Sequence, residues 1–271
     1  MPNRSARWNL LEGEPVKINL HEFKEYLGGM SHDDPAVRQK SVSGLAKYST
    51  AEWQGTPDAI TDAVAALLSA SRLRAAGAPD GAFRAEAAKV LGNIGTQSRA
   101  VLPELVRLLQ KDADGRVRTE AARALGKMGE GAASAGRSIA AVLDDPHGGE
   151  ALRGAAAWAL ARVDPSSAGT VSSLDAAADD RNGHVGVCAA EALWKVSPET
   201  DRAILALAAR LGDPAVRQAA AQALYRIGPA AKGAVPALMA AAKDKDRLFR
   251  ESVLLALRKI DPQATAKARL S

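Results

Sequence analysis

The 271-residue sequence is short of cysteine, of aromatic side chains and of long apolar runs. Its single cysteine, Cys188, excludes an intrachain disulfide framework and any zinc site built from several cysteines. No apolar stretch approaches the roughly 20 residues that a membrane-spanning helix requires. Residues 1–19 lack the apolar segment of a secretory signal peptide. We therefore expect a cytoplasmic protein without a membrane span.

The residues that are abundant favour a folded helical protein. Hydrophobic residues make up 47% of the chain, and alanine supplies a large part of them, whereas aromatic residues make up only 4%. This apolar content excludes a disordered chain, which combines low hydrophobicity with high net charge. The formal net charge is +5, and the charges are spread about evenly along the sequence. An even distribution is not typical of a strong phosphate binder, which concentrates its basic residues in a patch.

A thirteen-residue motif recurs seven times, and its third residue is arginine in six copies. The third residues are Arg38, Arg84, Arg118, Arg153, Gly186, Arg217 and Arg250. The first interval is 46 residues and the others are 31 to 35 residues. We expect the longer interval to contain an insertion over residues 69–81. A period of this length is typical of stacked structural repeats.

Each repeat is predicted to be a helical hairpin. Within the motif, apolar residues lie four, four and three positions apart, which places them on one face of an α-helix. A second apolar-periodic segment, such as residues 100–112, lies between successive motifs. One hairpin cannot bury its apolar face alone, so the hairpins must stack. We predict an all-α, right-handed α-α superhelix of seven hairpins over residues 19–262, with an arm or cap at 1–18 and a tail at 263–271.

The pattern Asp-x-x-Val-Arg-x-x-Ala-Ala-x-Ala-Leu occurs at residues 114–125 and 213–224. It resembles the HEAT-like repeat family, in particular the short bacterial repeats also found in phycobilisome lyase subunits. The resemblance covers about residues 19–262 and implies that the second helix of each hairpin lines the concave side. It implies no single function, because this fold is shared by scaffolds, lyase subunits and nucleic-acid enzymes.

An aspartate precedes the motif arginine by four residues in five repeats, and we interpret these residues as a structural ladder. The aspartate can cap the second helix, and the arginine can reach a neighbouring aspartate. The ladder comprises Asp34, Arg38, Asp80, Arg84, Asp114, Arg118, Arg153, Asp213, Arg217, Asp246 and Arg250. The alternative is a row of anion-binding arginines. Repeats four and five depart from the pattern, and Gly186 replaces the arginine, which indicates either a functional site or drift of the repeat.

The second helices carry two features that predict a binding surface. Ten residues after the Val position of the motif, six of seven repeats have a basic residue, as in Lys127, Arg162 and Lys195. Such cations stabilise helix C-termini, and together they also attract acidic partners. Three aromatic residues fall on consecutive repeats of the same face, although the tryptophans could instead fill grooves between helices. The predicted partner-binding residues are Trp158, Trp194, Tyr225, Arg123, Lys127, Arg162, Glu191, Lys195 and Arg226.

Catalysis and metal binding have little support in the sequence. His147 and His184 lie in inter-helix turns near Asp145 and Asp180, but their spacing matches no tight metal motif. Cys188 is interpreted as a packed side chain rather than a nucleophile. We therefore assign no catalytic residue, no metal and no cofactor, and expect a protein that is not an enzyme.

Three classes of function remain open. The leading hypothesis is a monomeric interaction scaffold that binds a protein or peptide, with an acidic partner as one option, on its concave, basic and aromatic surface. The second is a nucleic-acid binder, in which basic side chains neutralise phosphates and aromatic side chains stack on bases. The third, implied by the resemblance, is a bilin lyase-like subunit whose tetrapyrrole would occupy the same patch.

Overall fold

The computed structural model describes residues 19–48, 63, 66, 67, 81–95, 99–199 and 201–270. These residues form α-helices joined by turns and short 3-10 segments, and none of them is in a strand. The chain divides into two compact units, Met1–Ala135 and Gly136–Ser271. The arm expected at 1–18, the ladder residue Asp80 and the insertion expected at 69–81, apart from Gly81, lie outside the described residues.

The first unit contains five helices with described bounds and two 3-10 segments. They are α1 (Leu20–Gly29), α2 (Pro35–Leu45), α3 (Gly81–Ile94), the 3-10 segment Arg99–Val101, α4 (Leu102–Lys111), α5 (Gly115–Met128) and the 3-10 segment Gly129–Ala135. Helix α1 packs on α2, and α4 packs on α5, so each pair forms a hairpin. The second helices α2, α3 and α5 pack against one another in chain order.

The second unit repeats this arrangement. Its helices are α6 (Gly136–Asp144), α7 (Glu150–Val163), α8 (Ala168–Ala178), α9 (Gly183–Val196), α10 (Arg202–Arg210), α11 (Arg217–Ile227), α12 (Val235–Ala241), α13 (Arg247–Ile260) and α14 (Pro262–Leu270). The second helices α7, α9, α11 and α13 pack side by side in chain order. All seven second helices predicted from the motif are therefore present, and the predicted all-α architecture of stacked hairpins is confirmed within each unit.

The helix ends are set by local side-chain chemistry. The side chains of Asp34, Asp114 and Asp246 accept hydrogen bonds from backbone N–H groups in the first turns of α2, α5 and α13. Asn182 does the same for α9. These caps satisfy N–H groups that have no acceptor within the helix. Helices α5 and α11 end at Gly129 and Gly228, whose φ angles of 58° and 76° favour glycine.

Alanine and glycine replace bulky side chains where helices meet. Gly92 on α3 lies against α5, and a Cβ atom built on it would be 2.6 Å from the Cα of Ala124. In the second unit, alanines such as Ala156, Ala189 and Ala220 are fully buried beside leucines. Close approach of helix backbones therefore takes the place of aromatic packing, which explains why a folded chain needs so few aromatic residues.

The motif arginines use a more specific set of partners than the sequence indicates. Arg84 pairs with Asp112, Arg153 with Asp180, and Arg217 with Asp244, at N–O distances of 2.8, 2.5 and 2.7 Å. Each of these aspartates lies two residues before the N-cap of the next second helix, and each also accepts a hydrogen bond from the N-cap backbone N–H. The aspartate thus ties the turn of one hairpin to the arginine of the preceding hairpin.

The aspartates four residues before the motif arginines act mainly as helix caps, and the aspartates two positions earlier are the main partners of the motif arginines. Asp114 pairs with Arg116 of its own turn. Among the ion pairs that the structure describes, Asp246 is the capping aspartate that also contacts the preceding motif arginine, Arg217. Asp213 accepts a hydrogen bond from the backbone N–H of Ala215 in the turn, but it does not cap α11, which begins at Arg217 without a side-chain cap. The geometry accounts for this division: the cap carboxylate is oriented toward its own helix, and the residue two positions earlier faces the preceding hairpin.

Motif arginines also hold the turn of their own repeat. Arg38 donates to the carbonyl oxygens of His32 and Asp33, and Arg250 donates to those of Asp244 and Lys245. Arg118 donates to the carbonyl oxygen of Leu109, and Arg153 to that of Leu143. These bonds satisfy carbonyl groups that face inward at the turns, so they stabilise the junction between the two helices of a hairpin.

Candidate functional site

A groove in the second unit lies across three consecutive second helices, α7, α9 and α11. It has a volume of about 270 Å³. The side chains that line it are Trp158, Ala161, Cys188, Glu191, Ala192, Lys195 and Arg226. Four of the residues predicted to bind a partner, Trp158, Glu191, Lys195 and Arg226, therefore meet at one place.

Small residues create the space of the groove. Ala161 and Ala192 are almost completely buried, so their methyl groups form the groove floor rather than filling it. Beside it, Gly154 on α7 allows α9 to approach closely, because a Cβ atom at this position would be 3.3 Å from Sγ of Cys188. A larger residue in place of Ala161 or Ala192 would reduce the volume that a ligand can occupy.

An ion pair crosses from α9 to α11 at the groove. The Arg226 Nη2 and Glu191 Oε1 atoms are 2.5 Å apart, and the Arg226 Nε donates to the same oxygen at 2.7 Å. The Arg226 side chain is largely exposed, so the pair contributes at most about 1 kcal/mol to stability. Its clearer effect is on shape, because two hydrogen bonds hold the guanidinium in one orientation at the rim.

Cations flank the indole of Trp158. The Arg162 guanidinium carbon lies 5.0 Å from the centre of the Trp158 ring, within the range of a cation–π interaction. Lys195 is exposed and lines the groove. Glu191 is the one carboxylate among the lining residues, and it is already paired with Arg226. The groove therefore combines an apolar floor with a rim of excess positive charge.

The other two predicted aromatic residues have different environments. Trp194 is half-buried, packs against the hydrophobic core that extends from α8 to α14, and does not line the groove. Packing between helices, the alternative considered for both tryptophans, accounts for this position of Trp194. Tyr225 is 44% exposed, and the Lys259 Nζ lies 4.4 Å from its ring centre.

Two predicted binding residues belong to the first unit. Arg123 pairs with Glu120 one turn earlier on α5, at 2.5 Å. Lys127 donates to the Asn93 side chain on α3 at 2.9 Å. Burial lowers the pKa of Lys127, as do Lys89 and Arg123, and the nearby Glu120 only partly opposes them. Both residues thus have partners within their own unit.

Cys188 lies next to His184, with its Sγ atom 3.7 Å from the histidine Nε2. Burial raises the pKa of the Cys188 thiol to about 11, and the carboxylates of Glu191 and Glu150 contribute to this shift. The thiol is therefore protonated at neutral pH, and a nucleophilic thiolate is disfavoured. Within the described ranges, no group of three or more His, Cys, Asp and Glu side chains is arranged to hold a metal ion.

Comparison with known proteins identifies the type of repeat. The family model of HEAT repeats matches residues 70–150 and 202–270. A comparison with curated proteins gives no significant match. Searched over the described residues, no helix has both the length and the hydropathy needed to cross a membrane.

Solved structures share the fold at low sequence identity. The complex of CpcE and CpcF of phycocyanin lyase from Nostoc sp. PCC7120 has a TM-score of 0.55 and 22% identity, over 92% of each chain. YibA of Escherichia coli has a TM-score of 0.55 and 17% identity, over 89% of this chain and 82% of its own. A designed armadillo repeat protein in complex with the peptide (KR)4 has a TM-score of 0.50 and 20% identity, over 89% of this chain and all of its own. At these identities the similarities establish the fold alone.

Proposed function

Because this chain belongs to the HEAT-repeat family, we propose that it is a non-enzymatic interaction scaffold that binds a protein segment on the second helices of its second unit. The groove lined by Trp158, with the Glu191–Arg226 pair at its rim, is the observation that carries this proposal. Binding energy at protein interfaces concentrates in pockets that combine aromatic and arginine side chains with little exposed charge at their centre. The groove has this composition.

The groove is also preorganised. Its side chains project from three α-helices that pack directly on one another, so no loop must order before a ligand binds. The Arg162 and Arg226 guanidinium groups are held by the Trp158 ring and by Glu191. A preformed site loses less conformational entropy on binding, which raises affinity for a given contact area.

Two similar structures are themselves assemblies of a repeat protein with another polypeptide. One is the complex of CpcE with CpcF, and the other is the designed armadillo protein with the peptide (KR)4. We carry over to the present chain only the general mode, in which a repeat surface holds another polypeptide. The chemistry of the groove then selects the partner.

A displayed library of random peptides tests the proposal. Selection on the purified protein is expected to enrich a set of sequences, and the Trp158→Ala variant is expected to lose them. The matched control is Leu205→Ala, which removes an exposed apolar side chain on α10 away from the groove. Failure to enrich any sequence, or enrichment of the same set by Trp158→Ala, would contradict the proposal. Circular dichroism confirms that both variants are folded.

A second candidate, nucleic-acid binding, is favoured by one observation. Arg162, Lys195, Arg226 and Lys259 are exposed near the C-termini of four consecutive second helices. A labelled single-stranded oligonucleotide would then bind at low salt and dissociate steeply as the salt concentration rises. Absence of a gel shift at low salt excludes this candidate.

A further inference from the structure

The second helices of the second unit have two residue positions four apart that share one helix face, and six of the eight side chains there are exposed while Trp158 and Glu191 are half-buried. The first position holds Trp158, Glu191, Gln222 and Leu255, and the second holds Arg162, Lys195, Arg226 and Lys259. We refer to these eight residues as the exposed row. We infer that the exposed row binds an extended acidic segment of a partner protein, about eight residues long, with a bulky apolar residue near each end. This inference rests on the proposed function and specifies its partner.

The charge of the exposed row favours an acidic ligand. It contains four cations and one carboxylate, and this carboxylate, Glu191, is already bonded to Arg226. Each cation lies near a helix C-terminus, whose dipole contributes only about half a negative charge. The net field is therefore positive, and it attracts carboxylates and repels a basic segment. Arg162 over the Trp158 ring also hinders a cationic ligand from stacking there.

Apolar side chains lie at both ends of the exposed row. Trp158 on α7 lines the groove at one end. At the other end, on α13, Leu255 is 55% exposed and Leu248, two turns earlier on the same helix, is 72% exposed. Exposed large apolar side chains that recur on one helix face are typical of an interaction site rather than of a solvated surface.

The spacing of the helices sets the length of the segment. Helices α7, α9, α11 and α13 pack in order, and packed helices are about 8–10 Å apart. Three such steps span about 24–30 Å, and an extended chain rises about 3.3 Å per residue, so about eight residues connect the two apolar ends. The acidic residues between them then face Lys195 and Arg226.

Synthetic octapeptides test the charge and the apolar ends separately. The first has alternating Glu and Asp between two terminal leucines, the second has Gln and Asn in place of the acids, and the third has serine in place of both leucines. By fluorescence anisotropy at low salt, we expect the first to bind about tenfold more tightly than the second, since two or more exposed charge pairs add up to such a difference. We expect a similar advantage over the third, because burial of two leucine side chains is lost. Equal binding by the neutral peptide would overturn the inference.

Matched variants locate the site. Lys195→Glu is expected to weaken binding of the acidic peptide about fivefold to tenfold, as expected for reversing one exposed charge. Lys243→Glu makes the same change in net charge in the turn after α12, outside the groove lining, and is expected to have little effect. Trp158→Ala should weaken the leucine-containing peptides and leave the serine peptide unchanged. Equal effects of the two lysine variants would overturn the inference.

The outcomes also separate this inference from the proposed function. If the random library yields Trp158-dependent peptides that are neutral or basic, the scaffold proposal stands and the acidic partner is excluded. If the library yields no Trp158-dependent peptide and the octapeptides do not bind, both the scaffold proposal and the acidic partner are excluded. If a single-stranded oligonucleotide displaces the acidic octapeptide and binds more tightly at matched salt, the ligand is a nucleic acid and the acidic segment is excluded.

Discussion

Arg210 occupies the space beside Gly186, at the one motif position where arginine is absent. The Arg210 Nη2 donates to the carbonyl oxygens of Ala178 and Asp180 at 3.1 and 2.7 Å. A Cβ atom built on Gly186 would lie 2.6 Å from that same nitrogen. Asp180 precedes Gly186 by six residues. In the first and last repeats, the carbonyl oxygen six residues before the motif arginine accepts a hydrogen bond from that arginine, which is Arg38 or Arg250. An arginine from the first helix of the next hairpin thus replaces the missing motif arginine.

The Arg210–Gly186 relationship predicts non-additive effects on stability. Arg210→Ala leaves two inward-facing carbonyl groups without this donor, and we expect it to lower the free energy of unfolding by about 1–3 kcal/mol. In that background, Gly186→Ala should stabilise the protein by less than about 1 kcal/mol, because the higher helix propensity of alanine is partly offset by a Cβ atom 3.1 Å from the Ala178 carbonyl oxygen. In the wild type the added methyl group displaces the guanidinium, so no stabilisation is expected. Urea denaturation of the four proteins measures the coupling, and additive effects would contradict it.

The close contact between α3 and α5 predicts a strong effect at Gly92. Gly92→Ala introduces a Cβ atom 2.6 Å from the backbone Cα of Ala124. Overpacking of this kind costs about 1–3 kcal/mol. The comparison variant is Gly115→Ala, where nothing lies within 4 Å of the added atom. Thermal unfolding should show a lower Tm for Gly92→Ala alone, and equal shifts for the two variants would exclude packing as the cause.

The Arg153–Asp180 pair predicts a loss of stability in acid. Burial raises the pKa of Asp180, but hydrogen bonds from Arg153 and the Asn182 backbone outweigh this effect, so the pKa lies below its ordinary value of 3.8. A carboxylate whose pKa is lower in the folded state contributes stability above its ordinary pKa, and this contribution is lost as pH falls through the folded-state pKa. We expect the free energy of unfolding to fall below about pH 4, and Asp180→Asn to flatten this dependence.

Urea titrations between pH 3 and pH 7 measure this effect. Asp180→Asn should also lower stability at pH 7, because it leaves the largely buried Arg153 with an uncharged partner. The exposed Asp201→Asn serves as the control. An Asp180→Asn variant that retains the full acid dependence of the wild type would show that other carboxylates are responsible.

The environment of Cys188 predicts slow alkylation. Burial, together with Glu191 and Glu150, raises the pKa of its thiol from 9.0 to about 11. At neutral pH the thiolate fraction is therefore about a hundredfold lower than for an unperturbed cysteine, and the reaction with iodoacetamide should be slower by a similar factor. Cys188 is the single cysteine of the chain, so intact-protein mass spectrometry reports on this site alone. The rate should rise with pH up to about 11, and reaction at the rate of a free thiol at pH 7 would be inconsistent with the buried environment.

The sequence by itself determined the helical hairpins, their period and most of the helix caps. These features depend on interactions over one or two helical turns, such as the apolar spacing within each motif and the aspartate that caps α5 or α13. The family followed from the same local pattern. The sequence also predicted that one face of the second helices carries Trp158, Glu191, Lys195 and Arg226, because helical periodicity and repeat register place them there.

Only the tertiary structure decided which of these side chains line one groove and which partners the motif arginines use. Trp194 occupies the same face in a helical projection, but it is half-buried against the hydrophobic core and does not line the groove. The pairing of Arg84 with Asp112, and the replacement of the missing arginine by Arg210, connect residues about 30 positions apart. The distances between such groups depend on how closely adjacent helices approach, which small residues such as Gly154 and Gly186 determine. Local sequence patterns do not contain that information.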